Sequence, residues 1–229
     1  MKDPCEKSHA EWGLAEFRER FPGLRLTHLP DCALQFEGAL SFRAQKEGFQ
    51  QVEDVYAIRG VVSRGFPLEE ANIFEIGGRV SDNYHKFNSK RLCLGSPLRI
   101  RVVMEKNPTL VGLVDGLIIP YLYNHSAQEI SKEFPVGELD HGAPGLVDDY
   151  EKLFQLNGPA QCIKAIQFLG MKKRIANKHR CPCESGRRLG RCHNRQLNVF
   201  RRLAPRKYFQ DQAIYLTKEQ MRYEKALLR

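Results

Sequence analysis

The spacing of apolar residues changes along the chain, and each change predicts an element. Leu14, Phe17 and Phe21 recur at i, i+3 and i+7 between Ser8 and Phe21, and Pro22-Gly23 follows. That pattern predicts a helix with an abrupt stop. From Ala33 to Ala44 the period drops to two: Leu34, Phe36, Leu40 and Phe42 alternate with Gln35, Glu37, Ser41 and Arg43. This predicts a long half-buried strand, twisted around Gly38. Val52 to Val62 and Ile73 to Ile76 read as two further strands, so an antiparallel meander follows a helix. Periodicity then fails from Gly77 to Pro97, a stretch holding Tyr84, His85, Asn88 and Cys93 and closing on Leu92-Cys93-Leu94. Irregular backbone between short apolar anchors is where scaffolds place chemistry.

Leu98, Ile100, Val102 and Met104 alternate again and predict a short strand. Asn107-Pro108 predicts a helix start, with Asn as cap and Pro in the first turn, followed by the stripe Leu110, Leu113, Leu117 and Tyr121. Further helices are expected from Gly145 to Phe154, using Leu146, Tyr150 and Leu153, and from Cys162 to Leu169. The basic connector MKKRIANKHR, a cysteine-rich cluster and a basic tail from Arg195 to Arg229 complete the chain. The fold class is α+β, with no internal repeat and no low-complexity tract.

Charge divides the chain unevenly. Residues 1–150 hold 17 basic against 22 acidic residues, a net −5, and residues 151–229 hold 19 against 5, a net +14. A basic end of this size points to an anionic partner, either nucleic acid or an acidic protein face, or to a solvated tail that aids solubility; charge alone leaves these readings open. The longest apolar stretch, Leu110 to Tyr123, contains Asp115 and Pro120 and falls short of the roughly 20 residues needed to span a bilayer. The start MKDPCEKSHAEW lacks a signal-peptide core, so a cytoplasmic protein with no membrane partner is expected.

Seven cysteines, an odd number with no export signal, argue against a disulfide scaffold. Cys181, Cys183, Cys192 and His193 lie in one tight segment. Zinc takes four S or N donors in a tetrahedron, and a Cys-x-Cys pair with a Cys-His pair clamps it from two sides. So short a segment buries no core, and the ion would supply most of its folding free energy. The string CPCESGRRLGRCH, residues 181–193, resembles the SEC-C motif, a small zinc module of bacterial proteins. All four ligand positions, Ser185-Gly186 and the basic spacer match; Leu189 stands where an aromatic is common. The cofactor implied is a structural zinc ion (Zn2+), which makes this a docking module and not a catalyst.

Cys93 taken alone reads as a small buried hydrophobe between two leucines. Its surroundings add more. Helix, meander, Phe66-Pro67, the string YHKFNSKRLCL at residues 84–94 and a helical C-terminal half together resemble the ubiquitin-conjugating enzyme family. The active segment of that family runs Tyr-His-Pro-Asn, a short loop, then Ile-Cys-Leu. The resemblance covers about residues 8–155 and leans toward bacterial members. These carry a Gly-Glu-Leu-x-His-Gly-like string before a helix, here GELDHGAPGLVDDYEKLF at residues 137–154, and several end in a SEC-C module. It implies a UBC-like fold over 1–156, a helical basic connector over 157–178, the zinc module over 179–195 and a basic tail over 196–229.

The function implied is a transferase that holds a ubiquitin-like protein, or the C-terminus of a nucleotidyltransferase, as a thioester on Cys93 and passes it to an amine of an acceptor protein. A ThiF-type activating enzyme would load it, in an antiphage operon of the CBASS or ubiquitination-like kind. A thiolate is the reactive form, and Lys90 and Arg91 are expected to favour it. Two positions depart from the family: Phe87 stands where its asparagine would be, with Asn88 next to it, and Lys86 replaces its proline. Asn88 is therefore the oxyanion or structural candidate, with backbone donors as the other option, and His85 reads as a loop organiser or a base. His141 either faces the same groove or caps or packs a helix, while Asp140, Asp148 and Asp149 are expected on a solvated face. A papain-like protease is disfavoured, because Cys93 lacks the Gly-rich turn and helix start of that nucleophile. The alternative is a catalytically inactive UBC-like adaptor that docks protein or nucleic acid through the zinc module and basic tail.

Overall fold

Alternation in the N-terminal half produces a sheet with one buried face. The computed structural model describes residues 10–82, 84–132, 134–135 and 142–227. Helix α1 (Leu14–Arg20) is followed by strands β1 (Leu24–His28), β2 (Leu34–Ala44), β3 (Val52–Val62) and β4 (Asn72–Glu75), all antiparallel and paired in the order β1-β2-β3-β4. The inward residues of β2 and β3, among them Leu34, Phe36, Leu40, Tyr56, Ile58 and Val62, are buried against α1 and the later helices. Strand β1 is not among the sequence expectations. Its apolar signal is only Leu24 and Leu26 in five residues, and it is held by pairing with β2 from Leu24↔Gly38 to His28↔Leu34.

Two features of the sheet are steric. Gly38 has φ +144°, and a Cβ there would meet the Gly23 carbonyl oxygen at 2.1 Å, so glycine is what lets β1 close onto β2. Gly60 lies opposite Phe36 in the β2–β3 register, and a Cβ there would fall 2.0 Å from the Phe36 ring. The aromatic fills the place of the missing side chain.

The first correction concerns Leu98 to Met104, expected as a strand. They lie in helix α2 (Pro97–Lys106), started by Pro97 and by Ser96, whose Oγ accepts the Arg99 N–H at 3.2 Å. Ile100, Val103 and Met104 sit at i, i+3 and i+4 and pack on the core, so a helical period underlay the apparent alternation. The next helix starts two residues later than expected. Asn107 ends α2, and Thr109 caps the new helix by accepting the Gly112 N–H at 3.1 Å. Leu110–Leu113, a π-helical turn Val114–Ile118 and Ile119–Ser131 then run on as helix α3. Pro120 has no N–H to offer the Gly116 carbonyl, and the preceding turn widens so that the Ile119 N–H reaches Val114.

The chain divides into two units, 1–138 and 139–229. The boundary precedes helix α4 (Ala143–Phe154), which the sequence reading places in the N-terminal domain. Residues 137–141 of the GELDHG string, with Asp140 and His141, lie outside the described residues, as do Ser8 and Cys5. In the second unit α4, α5 (Gly158–Gly170) and α8 (Arg206–Leu227) pack together through Tyr150, Phe154, Ile166, Leu169, Phe209 and Leu216. Between α5 and α8 lie two short helices, α6 (Lys173–Ala176) and α7 (Asn194–Asn198). The expected basic tail is thus largely helical, and α8 is packed through its first half, with Phe209, Ala213 and Leu216 buried. Asp149, expected in solvent, is 2% exposed, whereas Asp148 pairs with Lys152 at the surface. Arg201 is likewise structural: its guanidinium donates to the carbonyls of Phe168 (2.7 Å), Leu169 (3.0 Å) and Met171 (2.9 Å) at the end of α5.

Gly60→Ala is expected to destabilise the N-terminal unit by about 1–3 kcal/mol through overpacking against Phe36. Urea unfolding followed by tryptophan fluorescence checks this, Trp12 being the chain's one tryptophan. The midpoint should fall with an unchanged denaturant slope.

Candidate functional site

Cys93 is carried on a short hairpin. Lys86 and Leu92 form an antiparallel bridge, the Phe87 N–H donates to Arg91 O at 2.9 Å, and the Cys93 N–H donates to His85 O at 2.8 Å. Positive φ at His85 (35°) and Lys90 (66°) bends the strands toward each other. The hairpin is fastened to the sheet by the Leu92 N–H, which donates to Ile73 O of β4 at 2.7 Å, and by the Leu92 side chain, which is 2% exposed. Side chains alternate along an extended segment, so an inward Leu92 turns Cys93 to the opposite side. Cys93 is not disulfide-bonded and is half-buried.

Helix α3 holds the hairpin from the other direction. The Tyr121 hydroxyl donates to Tyr84 O at 3.0 Å and lies 3.3 Å from His85 O, the same carbonyl that accepts the Cys93 N–H. Tyr84 is clasped edge-on by His85, Tyr121 and His125, with centroids at 5.4, 5.6 and 4.7 Å. Its hydroxyl accepts from Asn124 Nδ2 at 3.3 Å. Burial, reinforced by the nearby Tyr84 and Cys93, pushes the Tyr121 phenol well above its ordinary range, so it remains a neutral donor. His125 is 4% exposed, and its Nδ1 lies 2.8 Å from the Tyr56 hydroxyl; burial pushes its pKa down. Sequence reasoning lists Tyr121 only as part of an apolar stripe and does not single out His125. The i, i+4 spacing of these two on one helix is the signal that was available.

His85 and Cys93 are brought together as backbone partners. Asn88 is exposed in the turn at the tip of the hairpin, three residues beyond His85. The two basic neighbours are engaged elsewhere: Lys90 pairs with Asp82, and Arg91 pairs with Glu70 at 3.2 Å while lying 4.3 Å from the centre of the Phe87 ring. The hydrogen bond from Lys90 holds the Asp82 carboxyl below its usual range. The expectation that Lys90 and Arg91 favour a Cys93 thiolate is therefore weakened by these carboxylate partners.

The second cluster comprises Cys181, Cys183, Cys192 and His193, whose ligand atoms all lie within 4.8 Å of one another. Cys181 Sγ is 3.2 Å from His193 Nδ1, Cys183 Sγ is 3.5 Å from Cys192 Sγ, and Cys192 Sγ is 3.3 Å from His193 Nδ1. A tetrahedral ion with donors at 2.0–2.3 Å requires edges of roughly 3.5–3.8 Å; these three edges are at or below that range while the full set spans up to 4.8 Å, so seating an ion takes small adjustments in both directions. The backbone forms a tight knuckle. The Cys181 N–H donates to Arg187 O at 2.8 Å, the Leu189 N–H to His179 O at 2.9 Å and the Cys192 N–H to Leu189 O at 3.0 Å. Positive φ at Glu184 (59°) and Gly186 (74°) reverses the chain. Leu189, between the two ligand pairs, is 1% exposed. Burial raises the Cys181 thiol to about 11; at Cys183 burial is outweighed by hydrogen bonds from Ser185, which bring it to about 6. These four side chains can hold a metal ion. Cys162 is also free but buried, and Cys32 is disulfide-bonded, a cross-link the cysteine arithmetic does not anticipate.

Among the described residues no helix is long and apolar enough to cross a membrane. Comparison with family models, with curated proteins and with solved structures finds no match.

The purified chain is expected to carry about one transition-metal ion, and Cys183→Ser should release it. Elemental analysis reads the metal, and the Trp12 fluorescence transition should stay where it is in the parent protein.

Proposed function

We propose that the chain is a ubiquitin-conjugating-enzyme-like acyl carrier with Cys93 as its acceptor. The observation that carries this reading is a half-buried cysteine outside any disulfide, on a hairpin pinned at Leu92 and His85. A buried cysteine cannot take a polypeptide tail, and one on a loose loop has no fixed direction of approach. The order of elements, a helix, a four-stranded meander, the Cys93 hairpin and then helices, agrees with the resemblance.

In the proposed reaction the Cys93 thiolate attacks the carbonyl carbon of a ubiquitin-like protein's C-terminal residue, held as a thioester on an activating enzyme. The new C–S bond forms as the old one breaks, and the enzyme's thiolate leaves. An acceptor amine then attacks the Cys93 thioester, loses its proton and expels the thiolate, leaving an amide. The transient oxyanion needs hydrogen-bond donors. Asn88 lies in the turn and would have to move to serve, so backbone N–H groups near the cysteine are the better-placed donors. His85 acts as a loop organiser through its carbonyl. In the second cluster a Cys3His donor set favours zinc, as a closed structural site that shapes a docking module.

The position of Asn88 and the paired state of Lys90 and Arg91 also favour a second reading, in which the fold presents a modifier without bonding to it. One experiment separates the two. Incubating the full chain with its activating enzyme and modifier should yield a reductant-sensitive adduct, absent in Cys93→Ala and retained in Asn88→Ala. A full chain that forms no adduct but binds nucleic acid in a salt-sensitive manner would favour the adaptor.

A further inference from the structure

Helix α8 leaves its partners before it ends. Phe209, Ala213 and Leu216 are buried, but no position after Leu216 is, although the helix continues to Leu227. The eleven further residues span about 16 Å. Beside this departure α5 and α8 border an open groove of ≈ 550 Å³, lined by Gln167, Gly170, Met171, Ala213, Ile214 and Met221, with Thr217 and Lys218 along its edge. Its walls are mainly hydrocarbon. Ile214 and Met221, seven residues apart on one face, are each 55% exposed. Large apolar side chains clustered in a concave site mark an interaction surface.

The rim is cationic. Lys218 lines the groove, and Lys172, Lys173 and Arg174 directly follow Met171 at its other side, all exposed. None of these four belongs to an ion pair among the described residues, whereas Lys207 and Arg222 on the same helix pair with Asp211 and Glu219. Charge then selects the occupant. A second copy docked by two-fold symmetry would set this rim against itself, at the cost of like-charge repulsion. A phosphate backbone would satisfy the cations but leave the apolar trough unfilled. An amphipathic helix satisfies both, with apolar anchors at i, i+3 or i+4 and i+7 in the trough and carboxylates on its flanks.

We propose that the α5–α8 groove is a docking site for an acidic amphipathic helix of a partner protein. The proposal is independent of any chemistry at Cys93. Groove binding by a helix needs adaptable apolar contacts, which Met171 and Met221 provide, and it gains specificity and on-rate from the basic rim.

The test uses the full chain and a labelled synthetic helical peptide with leucines on one face and glutamates on the other, followed by fluorescence anisotropy. A peptide with lysine in place of each glutamate is the control. The expected result is binding of the acidic peptide alone, weakened about tenfold or more by Ile214→Glu, and weakened both by Lys218→Glu and by added salt. Ile214 is exposed, so its replacement leaves the core intact. Circular dichroism verifies this, and Ile214→Ala serves as a milder variant. The proposal is overturned by equal binding of the lysine peptide, by no binding of either peptide, or by indifference to Ile214→Glu. Displacement of the acidic peptide by an oligonucleotide whose own binding requires Ile214, or dimerisation abolished by Ile214→Glu, would also overturn it.

Discussion

The placement of Leu92 governs the candidate thiol. Its side chain is in the hydrophobic core and its N–H is bound to Ile73 of β4, so the hairpin cannot slide or rotate without exposing a leucine and orphaning a backbone donor. Burying such a side chain is favourable by about 1.5–3 kcal/mol, and a lost buried hydrogen bond costs a comparable amount. Because neighbours on an extended segment face opposite ways, this constraint on Leu92 also fixes the direction of Cys93, which is half-buried beside Tyr121. The leucines around the cysteine, which alone suggest a buried hydrophobe, are what hold it in place.

The same hairpin is held on its second side by side chains that no local pattern connects to it. Tyr121 belongs to a helix that begins well beyond Cys93, yet its hydroxyl meets the carbonyls of residues 84 and 85. His125, one turn further, packs on Tyr84 and meets Tyr56 from β3. Sheet, hairpin and helix therefore share one buried polar network. Ser126 extends it by donating to Asp54 at 2.7 Å, and Arg79 bridges Asp54 and Glu129. With every member partnered, such a network rigidifies its surroundings more than isolated bonds would.

What was legible in the sequence follows the range of the forces involved. Strands β2 and β3 were readable because eleven residues of alternation repeat one binary choice many times. The cysteine–histidine cluster was readable because a metal's coordination geometry is written into short spacing. Helix α2 was misread because the alternation of Leu98, Ile100, Val102 and Met104 masks the helical set Ile100, Val103 and Met104, and the deciding feature was the cap at Ser96 with Pro97. Strand β1 was missed because partners, not its own apolar pattern, hold it. The i, i+4 spacing put Tyr121 and His125 on one helix face, but their roles, like the burial of Asp149, depend on contacts between distant segments that no local pattern shows.

The charge asymmetry illustrates the difference between counting residues and placing them. A net of +14 over residues 151–229 suggests a loose basic tail, yet part of that charge is spent internally. Arg201 ties off α5, and Lys152, Lys207 and Arg222 pair with carboxylates on their own helices. Exposed ion pairs of this kind contribute little to stability, but they leave the excess positive charge on the groups that lack a carboxylate. The cations left over near the α5–α8 groove therefore carry more weight in recognition than their share of the total suggests, since they act beside a low-dielectric apolar surface. Net charge describes what a segment could attract; the pairing of individual groups determines where.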